Sequence, residues 1–518
     1  MKRAEARPAP MITSAFEREE LKSTMIRNLM FASLCATLTA VAAIQPSTAV
    51  SQQGGELETT TTSSMPAYPL KLSANHRYLV DQKNKPFLIV GDTPQGLMGM
   101  LSEQEVEEYF ADRQAHGFNA AGWIDVACAG RDFPDNPTGA TYDGILPFTG
   151  YLAGGTDFAH YDLSKPNEAY FVRLDHAIES AARHGIFVFI DPAETIGWLP
   201  VLRNNGAAAA YAYGQFLGRR YKKYANVAWI SGNDFNRWRV PTDDALALAV
   251  AKGIQSAAPE QLQTIELNVA TSSSLDDQSW APIISLNSTY TYSATYIQML
   301  HSYNQTPVLP DYLVEARYDL EQGESQTDYG TPEMVRREEY WTMLSGGTGQ
   351  IYGNHYSWSF SHGWKSYIDT LAVTQLEIWK DFFGSLPWQD LVPDQGHSVL
   401  TAGYGTFGST DVKLDPVHYI TNMEPRVNTS DYATAAGTPD GRFVVVYMPT
   451  ERRITVNMAS LKGSATARWF DPTDGTYQSI PGGPFLNTGS QQFTPPGKNH
   501  ARDGDWVLLL NASGSSTK

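Results

Sequence analysis

The chain has 518 residues and a formal charge of −17, with aromatic residues at 12% and charged residues at only 18%. A chain this acidic repels phosphate backbones and anionic bilayers, which argues against a nucleic-acid partner and for a neutral ligand such as a carbohydrate. The length exceeds one ordinary core, so a large domain with a smaller one is expected.

Lys22 and Arg27 precede the apolar run "LMFASLCATLTAVAAI" (29–44), and "STA" (47–49) offers small residues for cleavage. Residues 1–49 therefore read as a signal peptide, with Met25 as an alternative start, and the mature protein is expected to be secreted or periplasmic, with cell-surface association as a variant. The run is too short and too rich in Ala and Thr for a good membrane span, so no stable insertion is expected after cleavage, an uncleaved anchor being the alternative. Cys35 falls inside that signal and leaves Cys128 alone, which removes any intramolecular disulfide or cysteine metal site and makes Cys128 a buried thiol before a nucleophile. Residues 50–68 include "SQQGGELETTTTSSM", too polar to offset chain entropy, and read as a flexible leader.

From residue 69 onward, short apolar runs alternate with amphipathic segments. The runs are "FLIVGDT" (87–93), "FNAAGWIDV" (118–126), "IFVFIDP" (186–192), "VAWIS" (227–231), "QTIELN" (263–268), "PIISLN" (282–287), "YLVEA" (312–316) and "GQIYGN" (349–354). Between them, Ser102/Glu105 forms a capping-box signature for a helix ending at Gly117, Asn167 caps a helix ending at Gly185, and helices are expected at 207–223, from Asp243 or Asp244, and at 332–345. The Gly/Pro/Asp-rich stretch up to about Pro166 has the length of a functional loop. Eight cycles are the count of an α/β (β/α)8 TIM barrel over residues 69–394. A doubly wound sheet competes with this reading but lacks a glycine-rich phosphate loop after its first strand. Over residues 395–518 the pattern changes to alternating runs such as "RFVVVYMP" and "DWVLLL" between turn clusters "TPDG" and "DPTDG", which predicts a small antiparallel β-sandwich.

Barrel chemistry sits at the C-terminal ends of the strands. Those ends carry Asp92, Trp123 and Asp125, Asp191 and Glu194, Asn233 and Asp234, Glu315, and Asn354 with His355, Tyr356 and Trp358. Acids and aromatics with few histidines suit glycoside hydrolysis, in which one carboxyl protonates the leaving oxygen and another attacks the anomeric carbon. Asp234 and Glu315 fit that pair, with Asn233 placed to bond a sugar hydroxyl. Other readings stay open: Asp234 as a helix cap, Asp191 or Glu194 in its place, Glu315 paired with Arg317, Asp92 as a turn residue. Trp198 and Trp364 read as surface loop aromatics. His355 has no histidine partner at ligand spacing, so neither metal nor cofactor is expected.

The pieces "PFLIVGDTPQGL", "FNAAGWI", "VAWISGNDFN", "TPVLPDYLVEARYDLE", "GGTGQIYGNHYSW" and "LPWQDLVPD" resemble the apiosidase-like glycoside hydrolase family, and "RWFDPTDGTY" with "DGDWVLLL" resembles the β-sandwich named for collagen binding that often follows it. The resemblance implies an Asp acid/base after strand four and a Glu nucleophile after strand seven, which fall on Asp234 and Glu315. It departs from the family at Asp92-Thr93-Pro94-Gln95, where Asp-Thr-x-Trp is common, and at Asp319, where Glu is frequent. The expected activity is a retaining glycosidase acting on an apiose- or arabinose-type furanoside, with Asp92, Trp123, Glu194, Asn233, Tyr290, Tyr318, His355 and Trp358 as substrate contacts. A non-catalytic carbohydrate-binding protein on the same scaffold and an inverting mechanism are the alternatives.

Overall fold

A computed structural model describes residues 65–129, 133–267, 271–321, 330–408 and 426–513. The expected signal peptide and most of the expected leader lie outside the described residues.

Eight parallel strands form the larger layer: β1 (Ile89–Asp92), β2 (Ala120–Asp125), β3 (Phe187–Asp191), β4 (Val227–Ser231), β5 (Gln263–Ile265), β6 (Asn287–Thr291), β7 (Asp311–Glu315) and β8 (Gly349–Tyr352). Every residue in them is buried, as expected for parallel strands covered on both faces. Each strand from β1 to β5 pairs with the next, β6 to β8 do the same, and β8 returns to β1. Between β5 and β6 side chains and loop bonds complete the ring. Ser285 N donates to Gln263 O (2.8 Å), while Ser274 Oγ and Ser288 Oγ both donate to Ile265 O (2.6 Å each). An extra strand, Thr271–Ser273, lies antiparallel to β6.

The outer helices are α1 (Glu103–Ala115), α2 (Glu168–Arg183), α3 (Thr195–Tyr221), α4 (Pro241–Ala257), α5 (Tyr296–Tyr303), α6 (Pro332–Leu344) and α7 (Leu371–Gly384). Ser102 and Glu105 make the expected capping box on α1, and Asn167 caps α2. The third helix starts earlier than the sequence suggests and is broken at Gly206, whose φ of 78° interrupts the helix. No described helix follows β5, where the inserted strand and a short 3₁₀ turn (Ser274–Asp276) make the crossing.

Strand six is displaced from its expected position. "PIISLN" is a turn-rich approach, and the strand proper starts at its last residue, Asn287. Ile283 and Ile284 are apolar because they pack with Trp280 and Phe235, outside the sheet. A three-stranded sheet (Lys71–Leu72, Leu79–Val80, Pro86–Phe87) contributes Leu79 and Phe87 to the cluster inside the barrel, and so plugs one end of it. The long stretch before α2 is also more core than loop: Phe148, Tyr161 and Leu163 are buried with Trp198 and Trp364, so those two tryptophans are not surface groups.

The tail is built from β9 (Val392–Pro393), β10 (Leu400–Ala402), β11 (Thr434–Gly437), β12 (Phe443–Met448), β13 (Ile454–Asn457), β14 (Ala465–Phe470), β15 (Tyr477–Ser479), β16 (Ser490–Phe493) and β17 (Trp506–Ala512). They form two antiparallel sheets, β9-β11-β12-β17-β14-β15 and β10-β13-β16, over an apolar core of their own. The larger sheet also packs on the barrel helices. Tyr340 of α6 stacks on Tyr447 (5.0 Å), Phe382 of α7 meets Phe470 (4.5 Å), and Arg336 of α6 bonds Asp505 in a fully buried pair. No described helix is long and apolar enough to cross a membrane.

Candidate active site

The strand that begins at Val227 ends in a forced turn. Gly232, Asn233 and Asp234 all have positive φ (114°, 60° and 49°), a conformation that costs a Cβ-bearing residue energy and that Asn and Asp tolerate best. Gly232 is required there because a Cβ would stand 2.0 Å from Glu266 O. From the other side Thr195, the first residue of α3, grips the turn: its backbone N donates to Gly232 O (2.7 Å), and its Oγ1, with one proton to give, lies 2.7 Å from Gly232 O and 3.0 Å from Asn233 O. The turn lifts the Asp234 side chain off the strand, onto the hydroxyl of Tyr290.

Tyr290 sits at a register shift near the end of β6. Its Oη is 2.8 Å from Asp234 Oδ1 and 2.9 Å from Glu315 Oε1. These two carboxyl oxygens are therefore no more than about 5.7 Å apart, close to the roughly 5–5.5 Å of retaining enzymes and short of the 6.5–9.5 Å of inverting ones. Two further tyrosines face Glu315, the last residue of β7: Tyr292 Oη donates to Oε1 (2.9 Å) and Tyr318 Oη to Oε2 (3.1 Å). Gln95 spans the remaining side, its Nε2 donating to Tyr318 Oη and its Oε1 accepting from Asn233 Nδ2 (3.4 Å each).

Burial, and then the charge of Asp234, push the Glu315 carboxyl up to about 8, against the smaller pull of the three tyrosine hydroxyls. The Tyr290 hydroxyl has one proton and cannot donate to both carboxyls at once. With both contacts made as hydrogen bonds, one carboxyl must be protonated and donate to the tyrosine oxygen. The pair thus holds one proton between two acids, the starting state that acid-assisted displacement needs.

The other expected contacts divide. Asn233 and Tyr318 line this network. Asp92 is spent on the fold, accepting from Thr93 N (2.7 Å), Tyr109 Oη (2.9 Å) and Arg113 (3.4 Å) of α1. Trp123 is wholly buried inside the barrel at a bulge in β2, with φ of 44°. Glu194 caps α3, accepting from Ile196 N and Gly197 N. Trp358 packs on Phe133 (5.6 Å), and exposed His355 sits edge-on to Tyr356 (5.0 Å). Asp125 and Asp191 are register partners on β2 and β3; burial holds Asp191 up at about 8, and its Oδ1 accepts from Ala193 N (3.0 Å). Arg317 lies over the Tyr292 ring at 5.0 Å, while the Glu315 carboxylate accepts from Tyr290, Tyr292 and Tyr318. Glu266 and Tyr292 escaped the sequence reading. Applying the strand-end rule to "QTIELN" would have found Glu266.

Among the described residues the one grouping of metal-ligand type is Asp112, His116 and Asp369, away from this site, and Arg113 already bonds Asp112 and Asp369.

The profile of the family described as "Apiosidase-like, catalytic domain" matches residues 73–390, well over half of the chain. The chain belongs to the apiosidase-like family. It is a glycosidase, and the Asp234–Tyr290–Glu315 network lies inside the matched apiosidase-like region. Residues 420–511 match a second family, "Putative collagen-binding domain of a collagenase". Two solved structures share the fold across both parts: one described as a glycoside hydrolase (21% identity, TM-score 0.70, covering 87% of this chain and 98% of that one) and a family 5 glycoside hydrolase from Bacteroides vulgatus (21% identity, TM-score 0.69, 87% and 95%). No curated protein matches the chain.

Proposed function

We propose that this apiosidase-like protein is an exported, retaining glycosidase that cleaves an apiose- or arabinose-type furanoside from a plant or microbial polysaccharide, with Asp234 as acid/base and Glu315 as nucleophile. The observation that carries the reading is the single tyrosine hydroxyl in contact with both carboxyls, which limits Asp234 Oδ1 and Glu315 Oε1 to about 5.7 Å and so supports a retaining arrangement. Glu315 attacks the anomeric carbon while Asp234 protonates the departing oxygen. A glycosyl ester on Glu315 results. Asp234, now ionised, takes a proton from water, and that water opens the ester with a second inversion, so the sugar leaves with its original configuration. Tyr290, Tyr292 and Tyr318 hold the attacking carboxylate in one orientation, and Gln95 and Asn233 offer amides to sugar hydroxyls. The furanoside specificity rests on the family resemblance, and export on the basic-then-apolar N-terminal sequence.

The test is azide rescue of two variants on an activated aryl glycoside. Glu315→Ala should yield a glycosyl azide of inverted configuration and Asp234→Ala one of retained configuration. Near-normal hydrolysis by either variant without azide would overturn the assignment. A polysaccharide panel with the released sugars identified decides the substrate, and cell fractionation with and without residues 1–49 decides export.

A further inference from the structure

A third carboxyl lies beneath the pair. Glu266 directly follows β5 and is 1% exposed. Its backbone N donates to Ser231 O (2.8 Å), its backbone O lies against Gly232, and its Oε2 accepts from Asp234 N (3.3 Å). One residue thus contacts the left-handed turn at its start, its glycine and its acid. Oε1 is buried and has no hydrogen-bond partner among the described residues. A bare carboxylate oxygen in that position would be an unpaired buried charge, which proteins avoid by protonation.

The surroundings point the same way. The charges that act most strongly on Glu266 are those of Glu315, Asp234 and Asp191, all acids, and Tyr290, Tyr312 and Tyr318 lie within electrostatic reach of it. Burial first and these acids second hold its carboxyl well above the usual carboxylate range. We propose that Glu266 is a positioning residue for Asp234 and works as the neutral acid: its Oε2 fixes the backbone of the acid/base, and its Oε1 carries a proton separate from the one shared at Tyr290. The inference rests on the acid/base reading of Asp234 given above. It adds a role for a group that neither the strand-end reading nor the family resemblance singled out.

Because Glu266 acts through the acid, its removal should matter in proportion to the need for acid. On phenyl furanosides of apiose or arabinose, Glu266→Ala should lower kcat/KM, which reports the first, acid-assisted step, by about 100-fold, the low end of a general acid's contribution. On the 2,4-dinitrophenyl furanosides, whose leaving group needs no proton, the loss should shrink to about threefold or less. Glu266→Gln, which keeps an acceptor oxygen for Asp234 N and cannot ionise, should recover most of the loss and leave the limbs of the pH profile in place. Equal losses on both substrates, or a Gln variant as impaired as Ala, overturn the inference. Asp234→Ala on the same substrates separates the two readings: if it shows no leaving-group dependence the acid/base assignment fails, and if it alone shows one only the Glu266 inference fails. A readout independent of substrate is the infrared difference between wild type and Glu266→Gln at neutral pH. It should contain the carbonyl stretch of a protonated carboxylic acid, and loss of a carboxylate band instead would show Glu266 ionised and overturn the proposal.

Discussion

Tyr290 Oη lies 2.9 Å from Glu315 Oε1, and the same atom lies 2.8 Å from Asp234 Oδ1. This shared hydroxyl ties the protonation of one acid to that of the other. Its bond to Glu315 favours the ionised carboxylate, so removing it raises an already elevated pKa further. Tyr290→Phe should therefore lower kcat/KM by about 10- to 100-fold, the value of one hydrogen bond to a charged group, and move the alkaline limb of the pH profile upward. Kinetics across pH, with near-ultraviolet circular dichroism to check the fold, measures both. A loss below about twofold would remove Tyr290 from the working site.

The buried acids also set how the protein responds to pH. A pair this close titrates as a unit, and the proposed mechanism needs one proton on it. Its last proton leaves near the Glu315 value of about 8, so kcat/KM should fall as pH rises through about 8. Stability should fall over an overlapping range. Glu315, Asp191 and Glu339 ionise at about 8 when folded but have ordinary values of 4.5, 3.8 and 4.5, so between those limits the unfolded chain binds fewer protons than the native one. Stability therefore declines as pH rises from about 4 to 8. Calorimetry should find a higher Tm near pH 5 than near pH 8, and the reverse order would show these groups ionised in the fold. Glu315→Gln should flatten the slope.

The turn that presents Asp234 offers a cleaner separation of shape from chemistry. Gly232 has φ of 114° and no room for a methyl group beside Glu266 O, so Gly232→Ala must push the end of β4 away from β5. The strain costs about 1–3 kcal/mol. Because Asp234 is two residues further on, a shift of about 1 Å should lower turnover by about 100-fold or more. Thermal denaturation and kcat measure the two effects, and a variant that loses stability but retains turnover would show that the turn does not position the acid.

These residues also show where the sequence was legible. Asp234 and Glu315 could be read as a pair because each ends an apolar strand, and barrel topology sends strand ends to one rim. The same rule could not separate them from Asp92 and Glu194. Those acids also follow apolar strands, but Arg113 with Tyr109 and the first amides of α3 claim their carboxyls, and such partners lie 17 to 21 residues away or depend on a helix start. The setting of Trp123 was not legible for a local reason: it lies at a register shift in β2 and packs inside the barrel, which alternation along the strand does not reveal. Strand six was misplaced because "PIISLN" looks more strand-like than "NSTYT", whose polar side chains are buried in the hydroxyl network that joins β5 to β6. Burial of Ser and Thr in such a network is a tertiary fact with no local signature.

The last prediction concerns the tail. A separable binding module would meet the barrel through a small polar contact, whereas here the larger sheet shares one apolar cluster with α6 and α7. Arg336 lies at that junction, its Nε and Nη2 bonded to Asp505 (2.9 and 2.8 Å), a second Nη2 bond reaching Asp503 (2.8 Å) and Nη1 bonded to Gln375 (2.6 Å). Asp505→Ala leaves the buried guanidinium with only the partly exposed Asp503 as a carboxylate partner and should cost up to about 3–5 kcal/mol, while leaving the acid pair untouched. Calorimetry should show one lowered transition that includes both parts, since unfolding the tail exposes the helices beneath it. For the same reason a chain truncated after residue 394 should be poorly soluble, because it uncovers Tyr340, Trp341 and Phe382, which the sheet keeps dry. Trp341 would also lose the Tyr432 carbonyl that accepts its indole N–H at 2.8 Å. A soluble truncated chain with full activity would show that the barrel folds without its neighbour, and that the shared cluster is a contact of convenience between two independent units.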